Sequence, residues 1–121
     1  METDARPNHP QKRRRVILES PFRGASVQET NRNFEYALEA LRHSISIGEA
    51  PFGSHLIYPA VLDDAKPSER TIGITMGYAW WIAAEAIVFY LDQGWSEGMM
   101  KARLRALDLS CTIEERYIAK D

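Results

Sequence analysis

The stretch Ala86-Ile87-Val88-Phe89-Tyr90-Leu91 decides the fold. It is a continuous apolar run, rich in β-branched and aromatic side chains. Continuous rather than alternating apolar character marks a strand covered on both faces, as in a parallel sheet. The run ends at the loop Asp92-Gln93-Gly94-Trp95-Ser96-Glu97-Gly98. Working outward, Val16-Ile17-Leu18 is a shorter run of the same kind, stopped by the Pro/Gly loop Ser20-Pro21-Phe22-Arg23-Gly24. Ala50 to Leu56 reads as a further strand, interrupted by Pro51 and Gly53. Cys111-Thr112-Ile113 opens a last one, polar on one side through Glu114 and Arg116, as suits an edge.

Helical periodicity fills the gaps. Phe34, Leu38, Leu41 and Ile45 recur at i, i+4, i+7 and i+11, a core-facing stripe that Gly48 closes. Ile72, Met76, Ala79 and Ala83 repeat the pattern after a helix start at Pro67, and Met100, Leu104 and Leu107 mark a third helix. Gly73 and Gly77 weaken the second helix by about 1 kcal/mol each, so another backbone is expected to approach there. The order β-α-β-α-β-α-β predicts a flavodoxin-like three-layer α/β sandwich, with a short parallel sheet of about four strands and helices on both faces.

The chain has 121 residues, the size of one domain. Its apolar content, 45%, excludes a disordered chain. Cys111 is the single cysteine, which excludes a disulfide framework and any cysteine-based zinc cluster. No apolar run spans a bilayer, and the opening residues lack the apolar core of a secretory signal. A cytoplasmic domain without membrane contact is expected. Residues 1–15 hold five basic and two acidic side chains, so they carry +3; with −2 for the whole chain, the rest carries −5. Residues 1–14 read as a disordered basic arm and 15–121 as the domain. An acidic body is unsuited to gripping a phosphate backbone, so nucleic acid is not the expected partner.

In a doubly wound sheet, ligands bind beyond the carboxyl ends of the strands, where the winding reverses. Here that point lies between the first and third strands. The loops 19–24 and 92–98 meet there, and each combines an acid, a serine, an aromatic ring and glycine. Glu19 directly follows a buried strand, where a carboxylate is costly unless paired or used; Arg23 is one candidate partner. Glu19, Glu97 and Asp92 are the candidate catalytic carboxylates, since such groups bind ribose hydroxyls or act at an anomeric carbon. Phe22 and Trp95 are candidate stacking rings. Gly24, Gly94 and Gly98 let backbone approach a ligand, and Ser96 caps a helix whose N-terminus favours an anion. His55 falls on the same rim. Each also has a purely structural reading: Ser96 as a cap, the rings as packing, Glu97 as a dipole partner, and Asp63-Asp64 as a turn rather than a metal site. Trp80 and Trp81 point to different faces, so one is expected in the core and the other exposed. No phosphate-binding P-loop, dinucleotide fingerprint, zinc-protease motif or nucleophile elbow is present.

Three separated segments carry a resemblance: Val16-Ile17-Leu18-Glu19-Ser20-Pro21-Phe22, Pro51-Phe52-Gly53-Ser54-His55-Leu56, and Asp92-x-Gly94-x-Ser96-x-Gly98-Met99. Together they resemble the nucleoside 2-deoxyribosyltransferase-like superfamily, and are most similar to its small phage and prophage members. The resemblance covers roughly residues 15–117. It implies a cleft for nucleosides or nucleoside monophosphates, no cofactor, glutamate-dependent cleavage or exchange of the N-glycosidic bond, and a homo-oligomer whose sites a neighbour completes. Ser20, Pro21 and Phe22 match the loop after the first strand, and Ser96 and Gly98 the sugar- and phosphate-binding turn. The sequence departs from the family at the catalytic glutamate: four residues after Gly98 stands Ala102, and the register anchored on Asp92 lands on Gly98, one past Glu97. A nucleotide binder, or a non-catalytic sponge of a nucleotide-derived signal, therefore stands beside the enzyme reading. An interaction protein using the Trp80/Trp81 helix is the third reading.

Overall fold

The computed structural model describes residues 12–119. Four strands, β1 (Arg15–Glu19), β2 (Ala50–Phe52), β3 (Ala86–Tyr90) and β4 (Ile113–Arg116), form one sheet in the order β2-β1-β3-β4. All three pairings are parallel. Three helices connect them: α1 (Val27–Ser46), α2 (Pro67–Ala79) and α3 (Glu97–Asp108). Short 3-10 turns at Ser54–Leu56, Tyr58–Ala60 and Trp81–Ala83 flank α2. The expected second strand is thus shorter than its sequence reading, because the chain turns at Gly53.

The fold is flavodoxin-like, with helices on both faces. Val16, Leu18, Ala86, Val88 and Tyr90 pack under α1 through Tyr36 and Ala40. Ile17, Ile87 and Phe89 face the other way and pack with Trp81 and with Met99, Ala102 and Ala106 of α3. β3 is buried throughout, as its unbroken apolar run requires. The chain leaves β1 toward β2 on one side and β3 on the other, so the winding reverses between β1 and β3.

The helical period is as expected, but its phase is not. The core-facing residues of α1 are Asn33, Tyr36, Ala37, Ala40 and Ser44, while Phe34 and Ile45 are exposed. In α3 they are Met99, Ala102 and Ala106, while Met100, Leu104 and Leu107 face outward. In α2 only Gly77 is buried, and Ile72 and Met76 are exposed. Small side chains let the helices sit close on the sheet, and the bulkier apolar residues are displaced to the flanks. Gly48, at φ +89°, ends α1 in the left-handed conformation. Trp81 is the core tryptophan, and Trp80 is half-exposed, tilted against Phe52.

Most of the expected N-terminal arm lies outside the described residues. Arg14, its last member, pairs with Glu49 and Glu114. Arg116 binds Glu49 at 2.6 Å, Glu114 at 2.9 Å and the Tyr90 hydroxyl at 3.2 Å. Ser44 donates to Glu49 at 2.7 Å. This charged network ties the start of β1, the end of α1 and the edge strand β4 together.

Candidate functional site

A cavity of about 590 Å³ opens above the switch point, between α2 and α3. Both expected loops reach it. Glu19, Ser20, Phe22, Arg23 and Gly24 enter from the end of β1, and Ser96, Glu97, Gly98 and Met99 from the start of α3. His55 joins them from the turn after β2, and Ala102, the resemblance's glutamate position, lies in the wall. Ten of the expected site residues therefore converge.

Four do not line the cavity. Pro21 is buried beside it. Gly94 makes the turn after β3, where φ is +80° and only glycine is unstrained. Trp95 packs on Phe89, with ring centroids 5.0 Å apart. Asp92 is the main correction among the candidate carboxylates. It accepts a hydrogen bond from the Tyr36 hydroxyl and from the backbone N–H groups of Ile118 and Ala119 at 2.9 and 3.1 Å. Burial opposes its charge, but these donors hold its carboxyl below the usual range. Asp92 clamps the segment after β4.

Glu19 is different. It is partly buried in the cavity, and no hydrogen bond or ion pair engages its carboxylate among the described residues. Its expected partner, Arg23, instead donates to the Asp64 backbone carbonyl at 3.1 Å. Burial without a counter-charge pushes the Glu19 carboxyl up to about 7. The same charge, after burial, raises the nearby Tyr78 phenol. Ser20 is buried, with its hydroxyl 2.8 Å from His55 Nε2. Burial lowers His55 to about 4, so its imidazole is neutral at physiological pH. Glu97 contrasts with Glu19: its side chain is 81% exposed and pairs with Lys101 at 3.2 Å. Ser96 Oγ accepts the Met99 N–H at 3.1 Å, the expected cap.

One wall escaped the sequence reading. Tyr58, Leu62, Asp64, Arg70, Ile74 and Tyr78, from α2 and the segment before it, close the cavity. Gly73 and Gly77 were the available signal. A Cβ at Gly77 would lie 2.6 Å from Ser54 Oγ, so the close neighbour is a side chain and not the backbone that was expected. At Gly73 a Cβ would meet Leu62 Cδ1 at 3.5 Å, an ordinary contact. Gly77→Ala is expected to lower stability by about 1–3 kcal/mol through overpacking, despite its better helix propensity. Gly73→Ala is expected to be neutral or stabilising by up to about 1 kcal/mol. Urea denaturation of both variants checks this; equal effects would show that the Ser54 contact does not constrain α2.

Asp63 and Asp64 form a turn, with Asp63 Oδ1 accepting the Ala65 N–H at 3.0 Å. No group of three or more His, Cys, Asp or Glu side chains among the described residues is placed to hold a metal ion. No helix among them is long and apolar enough to cross a membrane.

Fold and cavity together define a wound parallel α/β domain whose switch-point cavity carries a glutamate without a partner among the described residues. The family model "Domain of unknown function (DUF7768)" matches residues 14–116, and the chain belongs to that family. No curated protein matches it.

Proposed function

We propose that the cavity binds a nucleoside or nucleotide, and that Glu19 is the carboxylate that cleaves or exchanges its N-glycosidic bond. The state of Glu19 carries this reading. A carboxyl with a pKa of about 7 is available in both forms near neutrality. Ionised, one of its oxygens bonds to the anomeric carbon as the C–N bond breaks and the base departs with a proton taken from solvent. Water then hydrolyses the glycosyl ester, or a second base accepts the sugar. Phe22, Tyr58 and Tyr78 supply rings against which a base can stack. Ser20 and neutral His55 supply polar contacts for sugar hydroxyls without adding charge beside Glu19. The apolar side chains facing outward on α2 and α3 support a homo-oligomer as part of the same proposal.

One observation favours a second reading. Ala102 stands in the cavity wall where the resemblance calls for the catalytic glutamate. A binder or sponge would hold the nucleotide and return it intact. Incubating the protein with ribo- and deoxyribonucleosides and their monophosphates, and following free base by chromatography, separates the two. Release of base by wild type supports the enzyme. Thermal stabilisation with intact ligand supports the binder; a ligand at 100 times its Kd adds about 2.7 kcal/mol. Neither response from any compound overturns the nucleotide reading.

A further inference from the structure

The resemblance puts the ligand's phosphate at the turn Ser96–Gly98, but the Ser96 hydroxyl and three of the N–H groups there are already engaged within the protein. Ser96 Oγ takes the Met99 N–H, Met99 Sδ takes the Ser96 N–H, and the Met100 N–H goes to the Ser96 carbonyl. Glu97 already supplies negative charge to the positive end of α3 and pairs with Lys101.

The opposite side of the mouth has charge to spare. Arg23 and Arg70 both line the cavity. The bond from Arg23 Nη1 to the Asp64 carbonyl holds that guanidinium against the segment entering α2, and Arg70 lies near the start of α2. Neither forms an ion pair among the described residues. Glu69, the acid next to Arg70 in sequence, is engaged by the Asp63 N–H at 2.8 Å and by Lys66 at 3.7 Å. Planar guanidinium donors match phosphate oxygens in geometry as well as in charge.

We infer that Arg23 and Arg70 form the phosphate subsite, so that the ligand is a phosphorylated nucleoside whose phosphate lies on the α2 side of the mouth while its sugar reaches Glu19. This rests on the nucleotide reading above and names the substrate class within it. Asp64, a residue of the same wall, carries a charge that opposes the anion and limits its affinity.

The test is calorimetric titration of the full chain with a nucleoside and its 5′-monophosphate. Wild type is expected to bind the monophosphate roughly tenfold or more tighter, a gap of about 1.4 kcal/mol. Arg23→Gln with Arg70→Gln erases that gap, so that the variant binds the monophosphate no tighter than the nucleoside. Asp64→Asn widens the gap, and Ser96→Ala leaves it alone. Both arginines are exposed, so the double variant is expected to keep the wild-type circular dichroism spectrum. Equal affinity for the two ligands in wild type overturns the subsite while sparing the nucleotide reading. So does a gap that survives the arginine changes and disappears in Ser96→Ala. If neither ligand binds, the nucleotide reading falls and takes the subsite with it.

Discussion

Glu19→Gln is expected to abolish base release and, at pH 8, to stabilise the protein by about 3 kcal/mol. The folded Glu19 carboxyl sits at about 7 against an ordinary 4.5. At 1.36 kcal/mol per pH unit that gap is worth about 3 kcal/mol. The sign follows from proton counting. Between pH 4.5 and 7 the folded state binds more protons at this site than the unfolded state. Stability contributed by Glu19 therefore falls as pH rises through that window, and stays low above it. An uncharged amide removes the cost of the buried charge. The difference between variant and wild type should be largest at pH 8 and close to zero at pH 4.5. His55 runs the other way: it is lowered from 6.5 to about 4 by burial, so its contribution falls as pH drops from 6.5 to 4. The two offset each other in wild type between pH 4.5 and 6.5, and Glu19 emerges in the difference curve. Denaturant titrations of both proteins at pH 4.5, 6 and 8 provide the measurement. A difference independent of pH would mean that Glu19 is solvated or paired and is not the reactive carboxylate of the cavity.

Glu49→Ala should be the most damaging single change outside the apolar core, costing about 3 kcal/mol in denaturant unfolding. The Glu49 side chain is 7% exposed and accepts from Arg116, Arg14 and Ser44. Removing one member of a buried ion network leaves its partners desolvated without compensation, typically a loss of 3–5 kcal/mol. The low end applies here because Glu114 remains for both arginines. The network also sets the acid limit. Burial would raise Glu49, but the hydrogen bonds from Arg116, Ser44 and Arg14 hold it below its usual value. Glu114, bonded first by Arg14, is lowered to about 2. Depressed carboxylates contribute fully above their unfolded pKa, near 4.5, and lose that contribution as pH falls toward the folded value. Wild type should therefore lose stability steeply below pH 4.5, and Glu49→Ala less steeply. A loss under 1 kcal/mol for Glu49→Ala would show that the network is as weak as a surface pair.

Much of the site was legible because a parallel sheet imposes direction. Every strand–helix loop leaves from the same edge, so the loops after β1 and β3 had to meet once the runs 16–18 and 86–91 were read as neighbouring strands. Glu19 stood out for the same reason, as a carboxylate at the end of an apolar strand. Asp92 looked equivalent in sequence, at the end of the neighbouring strand. Its role changed because Tyr36, 56 residues away in sequence, and the segment after β4 supply its donors. Nothing local to residue 92 encodes those partners.

The helix faces show the same limit. Apolar periodicity locates a helix but not the angle at which it docks. In α3 the stripe shifted by one position, from Met100 to Met99, because Ala102 and Ala106 permit a closer seat on Ile87 and Phe89. The sequence alone determined the order of elements, the strands buried on both faces and the rim where two loops converge, because apolar runs and chain direction are local properties. Tertiary structure decided which carboxylate is left unpartnered among the described residues, which helix walls the cavity and which cations face it. These depend on distances between residues far apart in the chain, and packing alone sets those distances.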